Sequence, residues 1–551
     1  MIQRLTQKRK NFMPAGKGRL TNGQIIELAV AVFLLAVGIF IRAFHFGIIP
    51  VGVHQDEAMA AVDALALAEH GTDRFGMRFP VHFQAWGNSQ MSVLLSYCMV
   101  PFIKLFGFSI TVIRLPLLIV SCIGLAALYL FARKVGGVKL AVPVLMLGVI
   151  CPWHYMQSRW SIDCNMFPHV FLFGVCLLLA GMKKRWALYV SMIFFGLCSY
   201  CYGIANYTVP VFLLLMAVYL LAVGKVKWRE VLLCLAIYFA VALPEFLTML
   251  INMMGWETIE TPLFTIPYFP ESDRAQDILF FNFSWKMLAD NLWKTLAALL
   301  GRSKDASVIS IIPKFDNLYP FTTVFFLIGL AVSFRRLAKG VDREEKLPYV
   351  AVLGWLFMAV WSGVTTNGVA QHRLAILFYP VIVISGVGIV WCIGKCKLLA
   401  VPIAGAYGAA ALLFANTYFG DYAELSRIYF YDPYVQALYH AADITCDSYY
   451  ITPDPQGVGE EKVGQILTMF CHEIDAEYYQ GITDVQGGRK VAPYAERYHF
   501  EDVTEETLLQ NEGKNVVYLV HTDEIGLFSP EEYDISSFYD VYYVVGPKNE
   551  R

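Results

Sequence analysis

Acidic residues are missing from the amino end of this chain. The first, Glu27, comes only after Arg4, Lys8, Arg9, Lys10, Lys17 and Arg19. Charge is scarce throughout: Asp, Glu, Lys and Arg make up 16% of 551 residues, against 57% hydrophobic ones. That balance excludes an ordinary soluble protein of this length. The net charge of -2 says little, because the charges are segregated along the chain. No small-residue cleavage site follows the first apolar run. That run is too long, and its basic head too extended, for a removable secretory signal. No internal repeat or low-complexity tract is found. The twelve cysteines form no disulfide framework. Most, including Cys122, Cys176 and Cys234, sit in apolar runs where thiols behave as small hydrophobes. Cys198 and Cys201 have a metal-like spacing but no partner pair, so packing is expected. Pairing of Cys446 with Cys471 is undecided by sequence.

What the chain does have is long apolar runs punctuated by basic clusters. A bilayer crossing needs roughly 20 residues. Arg133 with Lys134 and Lys139, Lys183 to Arg185, Lys225 to Arg229, Arg335 to Lys346, and Lys395 with Lys397 all flank such runs. Placing every cluster in the cytoplasm gives a consistent map. Spans are expected near 25–44, 110–131, 139–156, 166–182, 186–204, 208–224, 231–253, 319–336, 348–366, 372–394 and 398–416. The fold class is therefore a polytopic α-helical membrane protein of about eleven spans. Its amino end, 1–24, lies inside and its carboxyl end outside. The stretch 91–106 is short and holds Pro101 and Lys104, so it reads as a helix along the outer interface. Outer loops then cover 45–109 and 255–318. An amphipathic helix is expected from Ala58 to His70, stopped by Gly71. Beyond 420 the chain turns polar, and strands near 448–452, 515–521 and 541–545 with a helix at 460–474 suggest an extracytoplasmic α/β domain over 420–551.

Three outer segments carry polarity at membrane level. The first is His54 to Glu57, about ten residues past the first span. The second is Gln157 to Asp163, and the third is Asn367 to Arg373. Unpaired charge near lipid is costly, so such residues are either paired or used. Asp56, Glu57 and Asp163 are carboxylates, suited to a general base or a divalent ion. Arg159, His372 and Arg373 are basic, and arginine grips a phosphate with two bonds. A plainer reading stands beside this: Asp56 caps a helix, Arg373 snorkels, and Arg159 pairs with Asp163. His45, His70, His82, His154 and His169 show no ligand spacing and are expected to be surface or satisfied core histidines.

These same residues carry a resemblance to the GT-C glycosyltransferases. The acidic pair Asp56-Glu57 after the first span resembles their first-loop Asp-Glu motif. Asp63 through Gly71 and Asp73, then Gly76 and Pro80, extend the likeness, as do Pro101, Leu105 to Ser109 and Arg114 to Pro116. Ser158-Arg159 with Asp163 is similar to a second pattern. The branch resembled holds protein O-mannosyltransferases and the aminoarabinose transferase of lipid A. The likeness covers roughly 25–250 and, more loosely, the segment from Arg373 to Pro380. There is no lysine in 87–91, where the aminoarabinose branch would carry one, and the tail does not resemble β-trefoil repeats.

The resemblance implies a polyprenyl-phosphate-sugar donor, inversion at the anomeric carbon, and a site at the outer membrane face. It implies that Asp56 is the base or organises the site, with Asp163 nearby. Glu57 and Asp163 are then expected to position the acceptor or a divalent cation, with metal use undecided. Arg373, helped by His372 or Arg159, is expected to hold the departing phosphate. Partners would be the lipid-linked donor, a glycan, protein or lipid acceptor and membrane lipids, with no nucleic acid. Localisation would be the cell membrane. The alternative is a multi-span transporter or lipid-linked-sugar flippase, which should place ionisable residues near mid-bilayer and show repeated, interrupted helices.

Overall fold

The computed structural model of the chain describes residues 21–85, 90–270, 279, 282–303, 308–338, 343–366, 372–453 and 462–548. The basic head to residue 20 and the polar segment 367–371 thus lie outside the described residues. In chain order the helices are α1 (Asn22–Ala43), α2 (Gln55–Glu69), α3 (Leu94–Phe106), α4 (Ile110–Gly136), α5 (Val138–Ile150), α6 (Pro152–Gln157), α7 (Phe167–Gly181) and α8 (Arg185–Leu197). There follow α9 (Ala205–Ala222), α10 (Trp228–Met254), α11 (Trp285–Leu299), α12 (Thr322–Ala338), α13 (Arg343–Thr365), α14 (Phe378–Lys395) and α15 (Ala400–Phe419). Among the described residues, eight helical segments are long and apolar enough to cross a membrane by length and composition, built on α1, α4, α7, α9, α10, α13, α14 and α15. The remaining expected spans, at 139–156, 186–204 and 319–336, fall on the shorter helices α5, α8 and α12.

Local chemistry fixes several of these ends. Thr21 and Gln24 form a reciprocal capping box at the start of α1. Ser109 accepts the Val112 N–H at 3.3 Å and opens α4. Gly255, in the left-handed conformation, closes α10. Close packing between spans rests on small residues. A Cβ at Gly329 would collide with the Ile384 carbonyl, and one at Gly388 with that of Phe325, so α12 and α14 cross with backbones touching. The stretch 91–106 yields α3, 13 residues long, with Leu105 and Phe106 exposed and Leu95, Met99 and Ile103 buried. The 255–318 loop holds α11, whose Trp285 and Trp293 are exposed while Asn291 and Thr295 are buried.

Helix α2 differs from expectation. It starts at Gln55, not Ala58, and residues 57–67 are buried without a break, so it has no wet face. The reason is the carboxyl-terminal domain, which covers it. That domain holds α16 (Asp421–Tyr429), α17 (Asp432–Ala442), α18 (Lys462–Cys471) and a five-stranded mixed sheet. Its strands are β1 (Ser448–Ile451), β2 (Tyr498–Phe500), β3 (Val516–His521), β4 (Tyr533–Phe538) and β5 (Tyr542–Pro547), in the order β4-β5-β3-β1-β2. β1 runs parallel to β2 and β3, with Tyr449 opposite Tyr498 and Val517. β5 runs antiparallel to β3 and β4. Alternation splits the sheet. Val517 and Leu519 join the large core that continues into the membrane helices, while Val516, Tyr518 and Val520 form a separate outer cluster. Cys446 and Cys471 are buried there as free thiols, as are Cys198 and Cys201 in the helical part.

The two parts meet at a tight seam. Val53 donates its N–H to the Phe430 carbonyl at 2.8 Å, and Val51 donates to the Ser426 hydroxyl at 3.0 Å. Gly52 has φ +91°, and a Cβ there would run into Phe430 and Asp432 backbone, so only glycine fits.

Candidate active site

The turn from α1 into α2 brings the first acidic pair against the 157–163 run. His54 is the cap of α2: its Nδ1 accepts the Asp56 N–H at 3.2 Å. The capping role suggested for Asp56 therefore belongs to His54 and, reciprocally, to Glu57, which accepts the His54 N–H at 3.3 Å. Burial pushes the His54 pKa down against the opposing pull of Asp56 and Glu57, so the cap is a neutral imidazole.

Glu57 is fully buried. Arg114 grips both of its oxygens, at 2.9 and 2.8 Å, and the Ser161 N–H adds a bond at 2.6 Å. Arg114 gives its other donors to the carbonyls of Pro50 and Gly52, each at 2.9 Å. The expectation that Glu57 positions an acceptor or an ion is corrected by this geometry. Its lone pairs are occupied by protein groups away from solvent, and it ties α2, α4 and the 157–163 run together.

Arg159 needs the same correction. It is fully buried. It donates to the carbonyls of Arg42, Phe44 and His45 at 2.7, 2.8 and 2.6 Å, and to Ile49 O and the Tyr418 hydroxyl at 3.1 Å. Its guanidinium holds the turn after α1 and is not placed for a phosphate. Nor does it pair with Asp163.

Asp163, Asp56 and Arg373 behave differently. Asp163 opens a single 3-10 turn and accepts N–H groups from Ser92 at 3.2 Å and its own neighbour Cys164 at 2.6 Å. The Ser161 N–H bond to Glu57 and the contact of the His54 and Trp160 rings, 5.6 Å between centroids, set the Asp56 turn against the run that ends at Asp163. Asp56 keeps about a quarter of its side chain exposed, at 24%. Arg373 and His372 lie on a 3-10 turn, His372–Leu377, which leads into α14 and packs against the Asp163 turn. His372 also lines a water-sized cavity with Gln157, Asn165 and Trp160.

Beneath these groups runs a chain of buried polar contacts. Arg42 meets His154 Nδ1 at 3.0 Å, His154 Nε2 meets the Tyr379 hydroxyl at 3.0 Å, and that hydroxyl meets His169 Nδ1 at 2.7 Å. His169 ends on Ser121 and Gln157. His154 and His169 are thus satisfied core histidines. His82 pairs with Glu245 at 3.1 Å.

Farther out, the first loop is pinned by Asp63, which accepts from Arg74 Nη1 at 2.5 Å. Asp73 accepts the N–H groups of Phe75 and Met77. Burial, with the Asp63 charge beside it, pushes the Asp73 pKa up to about 7. At the end of α2, His70 Nε2 meets Asp475 Oδ2 at 2.8 Å, with Glu477 at 3.5 Å and Glu69 at 3.9 Å. Glu69, His70 and Asp475 could hold a metal ion by spacing, but they are half-wet and already satisfy one another.

Sequence reasoning named Arg114 and His54 but missed their roles, the grip on Glu57 and the cap of α2. Arg114 had a signal: it is a lone charge in an otherwise apolar span, which implies a buried partner. His54 had none, because histidine is a rare helix cap.

Residues 91–251 match the family described as dolichyl-phosphate-mannose-protein mannosyltransferase. No curated protein matches the chain. Among solved structures it is similar to ArnT from Cupriavidus metallidurans bound to undecaprenyl phosphate, at 13% identity over 97% of this chain and 99% of that one, with a TM-score of 0.54. It is also similar to the apo form of that protein, at 11% identity over 95% and 97% of the two chains, TM-score 0.54. The Archaeoglobus fulgidus oligosaccharyltransferase in its apo form matches at 14% identity over 90% of this chain and 70% of that one, TM-score 0.50.

Proposed function

We infer that this chain, built on the fold of the GT-C membrane glycosyltransferases, moves a sugar from a polyprenyl-phosphate carrier to an acceptor at the outer face of the membrane. The observation that carries the reading is the packing of three segments on one another: the Asp56 turn against the 157–163 run, and the Asp163 turn against the His372–Leu377 turn that holds Arg373. The family match and the fold favour transfer over a transporter or flippase.

The reaction is an inverting displacement. An acceptor hydroxyl attacks the anomeric carbon, the bond from that carbon to the phosphate oxygen breaks, and the lipid phosphate leaves. Asp56 takes the hydroxyl proton. Its partial exposure gives an acceptor access. Asp163, anchored by the Ser92 N–H, orients the acceptor. Arg373, with His372 beside it, grips the departing phosphate, a fixed positive charge aimed where negative charge develops. Glu57 and Arg159 are positioning residues that build the corner. Two carboxylates in this space are hard oxygen donors of the kind Mg2+ or Mn2+ takes. Such an ion would be held by Asp56 and Asp163 and would neutralise phosphate charge. The amino end lies in the cytoplasm and the carboxyl domain outside.

The test is to incubate purified protein in nanodiscs with a panel of polyprenyl-phosphate-linked hexoses and pentoses and to measure free polyprenyl phosphate. Release with at least one donor, lost in Asp56→Asn, is expected. A reporter joined at the carboxyl end should score outside, and a cytoplasmic score would reverse the placement of the site.

A further inference from the structure

The end of the bundle opposite the carboxylates holds a cavity of about 680 Å3. From Arg114 to Lys134 along α4 is about 30 Å at 1.5 Å per residue, roughly a hydrocarbon thickness. Six cationic side chains from separate segments line the cavity: Arg133 and Lys134 of α4, Lys183 after α7, Lys225 before α10, Arg336 of α12 and Lys346 of α13. Glu345 is the single acid among the described lining residues. Arg133 is neutralised by Glu27 at 2.7 Å. Lys346 gives one bond to the Leu337 carbonyl at 2.7 Å. The walls toward the bundle are apolar, with Val135, Leu179 and Leu347.

Basic residues at helix ends on one side of a membrane are first of all a topology signal. A topology signal needs the charges to be on that side and nothing more. It does not require them to face a common void. Here the two kinds separate: Lys139, Lys184, Arg185, Lys227, Arg335 and Lys397 do not line the cavity, whereas the six named above do. Bringing like charges round one space is repulsive unless an anion joins them.

We propose that this cavity binds a phosphate group of more than one negative charge, with the headgroup of an anionic lipid as the favoured source. Lys134, Lys183 and Arg336 supply the positive field, and the apolar wall lies where the first methylenes of a lipid would run. The site is remote from the carboxylates and does not rest on the transfer reading.

The protein in phosphatidylcholine nanodiscs is the test system. Cardiolipin is offered in one arm and pyrophosphate in the other, with binding read by native mass spectrometry and by the shift in unfolding temperature. Retention of cardiolipin identifies a lipid headgroup. Binding of pyrophosphate without cardiolipin retention identifies a soluble phosphate compound. In either case Lys183→Gln and Arg336→Gln should each weaken binding about fivefold, since a basic residue near such a headgroup contributes about that factor. Failure of both ligands to bind the wild type overturns the proposal, as does equal binding in the wild type and both variants. Should a variant fail to insert, a salt titration of the wild type decides. Binding must fall steeply with added salt, and salt-independent binding overturns the proposal.

Discussion

Two neighbouring regions at one end of the helical bundle hold the same kinds of residue and use them differently. In the corner built by Glu57, Arg114 and Arg159, every charge is out of water and met by a protein group. In the ridge formed by Asp56, Asp163 and Arg373, the Asp163 turn packs against the turn that carries Arg373, and Asp56 reaches solvent. Asp56 and Glu57 are adjacent in sequence yet fall on opposite sides of this divide. In the first turn of a helix, side chains one residue apart point about 100° apart. The lesson is that polarity at membrane level marks a location, and only the groups each side chain meets suggest its role.

Substitutions on the two sides should therefore fail in different ways. The largest effect is expected at Asp56→Asn, which keeps the size and removes the proton acceptor. Turnover should fall about 10²–10⁴-fold with an unchanged unfolding temperature. Full activity would move Asp56 to the building side. Next comes the corner. Glu57→Gln leaves the Arg114 guanidinium buried without its counter-charge, a change that costs about 3–5 kcal/mol. Yield and unfolding temperature should drop together, and a stable but inactive Glu57→Gln would place Glu57 in the chemistry after all.

Arg373 sharpens the contrast further. Arg373→Ala should weaken donor binding about 10–100-fold, as loss of charge-assisted bonds does. Arg373→Lys, which keeps the charge but not the fork, should fall between. Isothermal donor binding in nanodiscs measures both. Arg159→Lys should instead lower stability, because lysine cannot span carbonyls on both sides of the turn after α1. Unaltered donor affinity in Arg373→Ala would remove that residue from the phosphate site.

The smallest effect concerns pH at the seam between the two parts. Burial opposes the charge of His70, but the hydrogen bond and charge of Asp475, with Glu477 and Glu69, outweigh it and hold its pKa above the usual value. A raised histidine pKa stabilises below the unfolded value of about 6.5, and that stability is lost as pH rises through the folded pKa. Asp73, raised to about 7, acts in the same direction, because its folded form binds a proton that the unfolded form has released. Hydrogen-exchange protection factors over α2 and 71–85, referred to the intrinsic rate at each pH, should thus fall between about pH 5 and 8, and His70→Gln should flatten the part owed to His70. A seam that tightens with rising pH would contradict both assignments.

Much of this architecture was legible in the sequence, for physical reasons. Each expected span falls on helical chain because apolar length and flanking charge are local properties, though 139–156 is broken at Cys151 between α5 and α6. Strands β1, β3 and β5 were visible as apolar β-branched and aromatic runs. β4 was not, because Tyr533 to Phe538 alternates Asp and Ser with apolar residues at a sheet edge. The three polar segments also stand out in the sequence, since charge near lipid is costly. Their division into corner and ridge does not. It depends on partners such as Arg114, Ser161 and Tyr418, which lie 57, 104 and 259 residues from Glu57 or Arg159. The dry α2 was missed for a similar reason: the domain that covers it begins some 350 residues later.

The central claim is that the ridge transfers a lipid-linked sugar while the corner only holds it in place. One measurement bears on it most directly: release of free polyprenyl phosphate from a labelled polyprenyl-phosphate sugar by matched, folded preparations of wild type, Asp56→Asn and Arg159→Lys. The account predicts release by the wild type, release by whatever fraction of Arg159→Lys remains folded, and almost none by fully folded Asp56→Asn. Release by Asp56→Asn at the wild-type rate, or no release by the wild type from any donor in the panel, would contradict it.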